Sequence, residues 1–318
     1  MKKRYLFRTI LIMGLFFAGC GNGEDGNVAV VQEIPIETTA EIAQETTEEP
    51  ADVPVLQMVE EEAFVFEDIE VEVNGDKGTV LIGTTGVPYT ELLIQAKRQL
   101  AEDGWDLQIK FYEDYAQLNQ DVLNGTLDAH LFAHRTYVKN YNEVNKTDLV
   151  DAVPVCYEVY GVYSKLNEDL TKISGATIAL PADEEKKARA LLFMHDLEWI
   201  VLKDGVGMTA IEEDIVENGK NLQFVEYTPE SLEAVMGESD YSIIGADTAI
   251  VAGLDAEDDV IRAETDSDIS AQTYVACLVT TQENAEAAGI KVVAEVFASA
   301  EMSEFVEDTY KGALELMK

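Results

Sequence analysis

Positive charge is scarce in this chain: 22 Lys and Arg stand against 62 Asp and Glu, a formal net charge of −40 over 318 residues. Nucleic acid and anionic lipid head groups both require basic patches that displace counterions, so neither is expected as a partner. Histidine and cysteine number only three each. The chain has no GxSxG, no HExxH and no phosphate-binding loop, and neither Cys156 nor Cys277 has a histidine near it in sequence. These absences argue against an enzyme, and no cofactor is expected. The many carboxylates do not argue for catalysis, because at this composition an acid/base pair cannot be told from a solvated surface. Cys156 and Cys277 lie in apolar, strand-like runs, VPVCYEVYGVYS and TYVACLVTT. Buried unpaired thiols are the default there, although an exported protein could pair them.

Two of the three histidines, His130 and His134, sit in TLDAHLFAHRTYV, residues 126–138. Spaced four apart, they would share a face, and could hold one ion, only on a helix. The stretch predicts a strand instead: Asn124-Gly125 ends the preceding helix, and Leu127, Ala129, Leu131 and Ala133 then alternate. On a strand Asp128, His130, Phe132 and His134 share the other face, and the two histidines stand roughly 13 Å apart at about 3.3 Å per residue. One ion cannot bridge them, so no metal site is expected. Phe132 and His134 are candidates to line a pocket.

The first twenty residues, MKKRYLFRTILIMGLFFAGC, have a basic start, an apolar run from Ile10 to Phe17, and Ala18 and Gly19 before Cys20. That is the anatomy of an export signal, and its apolar run is too short for a membrane span of about 20 residues. Small residues before a cysteine resemble the bacterial lipobox, with Phe17 where leucine is more usual. The expectation is a signal peptide over residues 1–19, lipidation at Cys20, and a protein held by that lipid on the extracytoplasmic face of the cell membrane. An ordinary cleaved signal with an incidental cysteine is the alternative. Residues 20–76 read as a disordered acidic linker. Gly21 to Asp76 carries seventeen Asp and Glu, three of the seven prolines, and no Lys or Arg. Loss of the signal's four basic residues brings the net charge to about −44.

Residues 77–318 suffice for one large or two small domains. GTVLIGTT predicts a strand, VPYTELLIQAKRQLAEDG a helix with Leu92, Leu93, Ala96 and Leu100 on one face, DLQIKFYE a strand, DYAQLNQDVLNG a helix, and residues 127–134 a third strand. After the extended LVDAVPVCYEVYGVYS the alternation restarts. ATIALP is a strand, DEEKKARALLFMHDLEWI a helix, LQFVEY a strand, PESLEAVM a helix and YSIIGA a strand. Strand TYVACLVTT and one long amphipathic helical tail close the chain. This order predicts an α/β fold with mostly parallel sheets flanked by helices. Two such units suggest two lobes: lobe I over about 77–158 plus 280–318, and lobe II over about 159–279. Ligands bind beyond the carboxyl ends of such strands, where Phe132 and His134 fall.

Several segments occur together in a telling order: IGTTGVPYTELL, FYEDYAQLNQDVLNGTLDAHLFAHRTYV, GVYSK, LKDGVG with DIVEN and KNLQFVE, and YVACLVT. From about Thr79 to Met317 the globule thereby resembles the NlpA lipoprotein family, the lipid-anchored substrate-binding proteins of ABC importers that capture methionine. The resemblance implies a two-lobed periplasmic-binding-protein fold, type II-like, and an ABC permease as partner. It implies that Tyr115, Phe132 and His134 enclose the ligand's side chain, that Asn119 belongs to the same site, and that Arg189 grips the ligand's carboxylate. The chemistry fits, since a thioether packs well on aromatic edges and a guanidinium pairs with a carboxylate. Without the resemblance, Arg189 among Glu184, Glu185, Lys186 and Lys187 would read as part of a solvated helix face.

Two positions depart from the family's pattern. IIGADTAI places Gly245 where the family has an asparagine, with Asp247 two residues on, and TYVAC places Ala276 at a second asparagine. Those asparagines hold the amino acid's backbone groups, so Asp247 or water is expected to replace them, and glycine and alanine are expected to free volume. PADEEK, where the family has PNDPTN, makes the pocket mouth acidic. The expected small-molecule ligand is methionine, a larger amino-acid derivative or a short peptide. The alternative is a surface lipoprotein that keeps the fold, has lost amino-acid transport, and serves in adhesion or another interaction.

Overall fold

A computed structural model describes residues 70–318; the expected signal peptide, Cys20 and most of the expected linker lie outside the described residues. The described residues begin slightly before the expected boundary at residue 77. The Asn74 N–H donates to the Ala101 carbonyl at 2.8 Å, tying the segment to the end of the first helix.

The first run of elements is β1 (Gly78–Thr84), α1 (Tyr89–Glu102), β2 (Trp105–Phe111), α2 (Tyr115–Leu123), β3 (Ala129–His134), α3 (Arg135–Asn145) and β4 (Leu149–Glu158). The second comprises β5 (Tyr160–Tyr163), β6 (Thr177–Pro181), α4 (Glu184–Asp196), β7 (Val201–Leu202), β8 (Ile215–Glu217), β9 (Gln223–Tyr227), α5 (Leu232–Met236), β10 (Tyr241–Gly245), α6 (Ala246–Val251), β11 (Arg262–Ala263) and α7 (Ile269–Tyr274). The chain ends with β12 (Ala276–Thr281), α8 (Ala288–Phe297), α9 (Ala300–Tyr310) and β13 (Leu314–Leu316).

Two main sheets result, ordered β13-β4-β12-β3-β1-β2 and β11-β5-β10-β6-β9. In the first, β1 lies between β2 and β3 with β12 beside β3; in the second, β6 lies between β9 and β10 with β5 beside β10. The chain crosses between sheets at two places. Val159 alone separates β4 from β5, and Val275 alone separates α7 from β12. The run LVDAVPVCYEVYGVYS is therefore two strands in two sheets. β12 joins the first sheet from Ala276, so the return to lobe I falls before the expected residue 280.

Periodicity accounts for the packing. Leu92, Leu93, Ala96 and Leu100 of α1 are fully buried against Val80 and Ile82 of β1, and each leucine removed from water contributes about 1.5–3 kcal/mol. The second lobe buries Ile178 and Leu180 of β6 against Leu191, Leu192, Phe193 and Met194 of α4. Asp114 and Asp183 cap α2 and α4, accepting from the N–H of Ala116 at 2.8 Å and of Lys186 at 2.9 Å.

Four features refine or depart from the sequence-based expectation. Each sheet has the expected parallel strands and also carries antiparallel ones: β1 pairs parallel with β2 and β3, but β12 runs antiparallel to β3 and β4, and β5 to β10 and β11. Strands that enter by a direct crossing have no helix to bring them round in the parallel sense. RTYVKNYNEV is the helix α3, whose one buried residue, Val138, leaves almost no apolar period to detect. The long tail is two helices, because Ser299 caps α9, accepting from the Met302 N–H at 3.1 Å. Between them and the C-terminus β13 adds an edge to the first sheet. Cys156 and Cys277 are both buried and free; burial pushes the Cys277 thiol up to about 12 and that of Cys156 well up also.

Gly83 in β1 is where α2 meets the sheet. A Cβ there would lie 2.4 Å from Cδ2 of Leu118 and 2.5 Å from Cδ1 of Leu127. Gly83→Ala is expected to destabilise the fold by about 1–3 kcal/mol, since both leucines are locked in the core. Urea unfolding checks this, and an unchanged midpoint at unchanged m would contradict it.

Candidate functional site

The end of β3 and the start of the helices beside it gather the predicted aromatic residues. Tyr115 opens α2, and its ring stacks on Phe132 with centroids 5.2 Å apart and planes 12° apart. Phe132 also meets the edge of Tyr137 at 5.6 Å and tilts against His130 at 4.8 Å. One helical turn after Tyr115, the fully buried Asn119 ties this cluster together. Its Oδ1 accepts from His130 Nε2 at 2.9 Å, and its Nδ2 donates to the Tyr137 hydroxyl at 3.1 Å. Asn119 therefore reaches the slot through its neighbours, holding two aromatic rings in place.

His134 ends the strand and caps α3, its Nδ1 accepting from the Tyr137 N–H at 3.2 Å. That contact assigns the ring proton to Nε2, which faces Glu185 Oε1 of α4 at 3.9 Å. The ring also tilts against Tyr274 at 5.7 Å. Burial, with the positive charge of Arg189, holds the His134 imidazole down at about 4.

Arg189 is 5% exposed, which dismisses the solvated-face reading of its helix neighbours. Its Nη2 donates to Glu264 Oε2 at 2.8 Å and to the main-chain carbonyl of Glu158. Its guanidinium carbon lies 4.4 Å from the Tyr160 ring centroid and 4.9 Å from that of Tyr274. Its buried Nε has no hydrogen-bond acceptor among the described residues. A buried guanidinium with an idle donor beside an aromatic slot is equipped to take one more acceptor.

The two departures behave differently from expectation. Gly245 frees no volume: a Cβ there would lie 2.8 Å from Cε2 of Tyr160 and 3.1 Å from Oε1 of Glu158. The space is already filled. Asp247 is engaged, with Oδ2 accepting from Lys186 Nζ at 2.6 Å and Oδ1 accepting from the Thr248 hydroxyl at 2.9 Å. Its backbone N–H donates to Glu158 Oε1 at 2.8 Å. Ala276, the first residue of β12, is buried opposite His134 and Cys156 and offers no polar group.

Sequence reasoning missed Glu158, Tyr160, Glu264 and Tyr274. A signal existed for the first: Glu158 is the only charged residue in VPVCYEVYGVYS, and it stands at the crossing between the sheets.

Two sheets of matching order, joined by two short crossings with aromatic and charged residues gathered beside them, define the class of two-lobed periplasmic binding proteins. A sequence model of the NlpA lipoprotein family matches residues 80–316, and the chain belongs to that family. The methionine-binding lipoprotein MetQ of Bacillus subtilis is 30% identical over 244 residues, spanning 75% of this chain and 88% of that protein. A solved YaeC-family lipoprotein of Enterococcus faecalis aligns with a TM-score of 0.61 at 26% identity, covering 76% of this chain and 99% of that one. A nutrient-binding protein of Burkholderia cenocepacia, solved bound to methionine, aligns at 0.53 with 26% identity over 75% of this chain and 100% of its own.

The two site histidines make stability sensitive to acid. Burial holds His130 down at about 3 and His134 at about 4, against an ordinary value near 6.5. Between those values the unfolded chain binds protons that the fold refuses. Their contribution is thus complete above 6.5 and is lost as pH falls. His130→Gln, whose amide can still donate to Asn119, is expected to show a shallower fall in Tm between pH 6.5 and 4 than the wild type. Parallel curves would contradict it.

Proposed function

We propose that this lipoprotein is the solute-capturing component of an ABC importer, anchored through lipid on Cys20 at the extracytoplasmic face. Its ligand is an amino acid with an apolar or thioether side chain, methionine being the first candidate and a derivative or short peptide the next. Arg189 binds the ligand's carboxylate through its idle Nε, and Tyr115, Phe132 and His134 enclose the side chain. Asn119 acts by positioning His130 and Tyr137. The observation that carries this reading is the buried Arg189 with an unpartnered donor, bridged by Tyr274 to His134 of the aromatic slot. The methionine-binding relatives support it, as does the absence of a catalytic motif. The crossings at Val159 and Val275 are short enough to act as hinges on which the lobes close around the solute and present it to the permease.

Arg189→Ala is a poor test, because it leaves the Glu264 carboxylate buried without its cation, a loss of about 3–5 kcal/mol in stability. Arg189→Lys keeps the charge and cannot reach both Glu264 and a ligand carboxylate with a planar fork. Calorimetry with L-methionine is expected to show about a ten- to hundredfold weaker Kd in the lysine variant. Equal affinity would remove Arg189 from the ligand site, and no binding of methionine or methionyl dipeptides by the wild type would remove the transport reading.

A further inference from the structure

We infer that Glu158 receives the ligand's amino group, its carboxyl standing where a side chain at position 245 would otherwise project. The inference rests on the amino-acid reading above and adds to it the group that distinguishes an amino acid from a simple carboxylic acid. Glu158 closes β4 at the crossing into the second sheet, and its own main-chain carbonyl accepts from Arg189 Nη2. The carboxylate and ammonium of an α-amino acid share one carbon, so charged partners for the two would be a cation and an anion side by side. Arg189 and Glu158 are that pair.

The close approach to Gly245 shows what has been exchanged. A Cβ at 245 would lie 3.1 Å from Glu158 Oε1 and 2.8 Å from the Tyr160 ring that rests against Arg189. A larger residue at 245 and the present positions of Glu158 and Tyr160 are therefore mutually exclusive. Of the other nearby carboxylates, Glu185 lies on the His134 side at 3.9 Å from its Nε2, and Asp247 and Glu264 are already engaged with cations. Asp247 has Lys186 at 2.6 Å. Glu264 holds Arg189 at 2.8 Å and accepts from the Tyr160 N–H at 3.2 Å, both through Oε2; its Oε1 has no partner among the described residues, but the side chain is wholly shielded from solvent. Glu158 is partly exposed, and the hydrogen bond its carboxyl accepts among the described residues is from the Asp247 N–H.

A carboxyl in that position does not ionise readily. Removal from water and the neighbouring Asp247 carboxylate push it up to about 8, against a smaller opposing effect of Arg189. Lys186 also faces it, as do the phenols of Tyr89, Tyr160, Tyr163 and Tyr227, which burial keeps neutral. At pH 7 the free protein thus holds Glu158 largely protonated. An arriving ammonium favours the carboxylate, so binding releases a proton and tightens as pH rises from 6 to 8.

The test compares L-methionine with 4-(methylthio)butanoate, the same molecule without its amine, on wild type and Glu158→Gln. Glutamine keeps the acceptor for the Asp247 N–H, so the fold is preserved. The wild type is expected to prefer methionine, and Glu158→Gln to lose about ten- to hundredfold in methionine affinity while holding the butanoate nearly unchanged. Calorimetry in two buffers of different ionisation enthalpy at pH 7 should register proton release for methionine on wild type and none on the variant, a readout that a merely structural role would not move. A variant that keeps the methionine preference, that weakens both ligands equally, or that still releases the proton overturns the assignment while leaving the carboxylate site standing. If the wild type binds neither compound, the amino-acid reading falls and this inference with it.

Discussion

The structure turns on a guanidinium taken out of water at the junction of two lobes. Arg189 belongs to the second lobe, yet its partners sit at the crossings. The Glu158 carbonyl and the Tyr160 ring flank Val159, and the Tyr274 ring precedes Val275. Burying such a charge is unfavourable unless a counter-ion and hydrogen bonds accompany it, and Glu264 supplies the counter-ion from beside β11. The ion pair is not thereby a large source of stability. It fixes where the crossings lie relative to α4, and it leaves Nε without an acceptor among the described residues.

Gly245 and Asp247 become intelligible around that arginine. Gly245 permits the Tyr160 ring to approach Arg189 and the Glu158 carboxyl to approach α6. Asp247, the obvious substitute acceptor in the sequence, is neutralised by Lys186, and that pairing lowers its carboxyl below the usual range. Two carboxyl groups in contact cannot both ionise readily, so the one with a lysine keeps its charge and Glu158 takes the proton.

Much of this was legible in the sequence wherever a side-chain period was strong. The alternation of Leu127, Ala129, Leu131 and Ala133 gave β3, and the stripe Leu92, Leu93, Ala96 and Leu100 gave α1, because one face of each had to be apolar. α3 was invisible for the opposite reason, with Val138 alone buried and a histidine, rather than a usual capping residue, at its start. Tyr115, Phe132, His134 and Arg189 were picked out by resemblance and do lie along one chain of contacts through Tyr137 and Tyr274. Glu158 and Glu264 were not, since partners far apart in sequence are chosen by the crossings and not by local spacing. The freed volume expected at Gly245 failed for the same reason: Tyr160, a distant residue, fills it.

A crystal structure of the protein with L-methionine tests the central claim most directly. The account predicts the ligand's carboxylate within hydrogen-bonding distance of Arg189 Nε and its thioether against Tyr115, Phe132 and His134. Methionine bound elsewhere, or bound here with Arg189 Nε still without an acceptor, would contradict it.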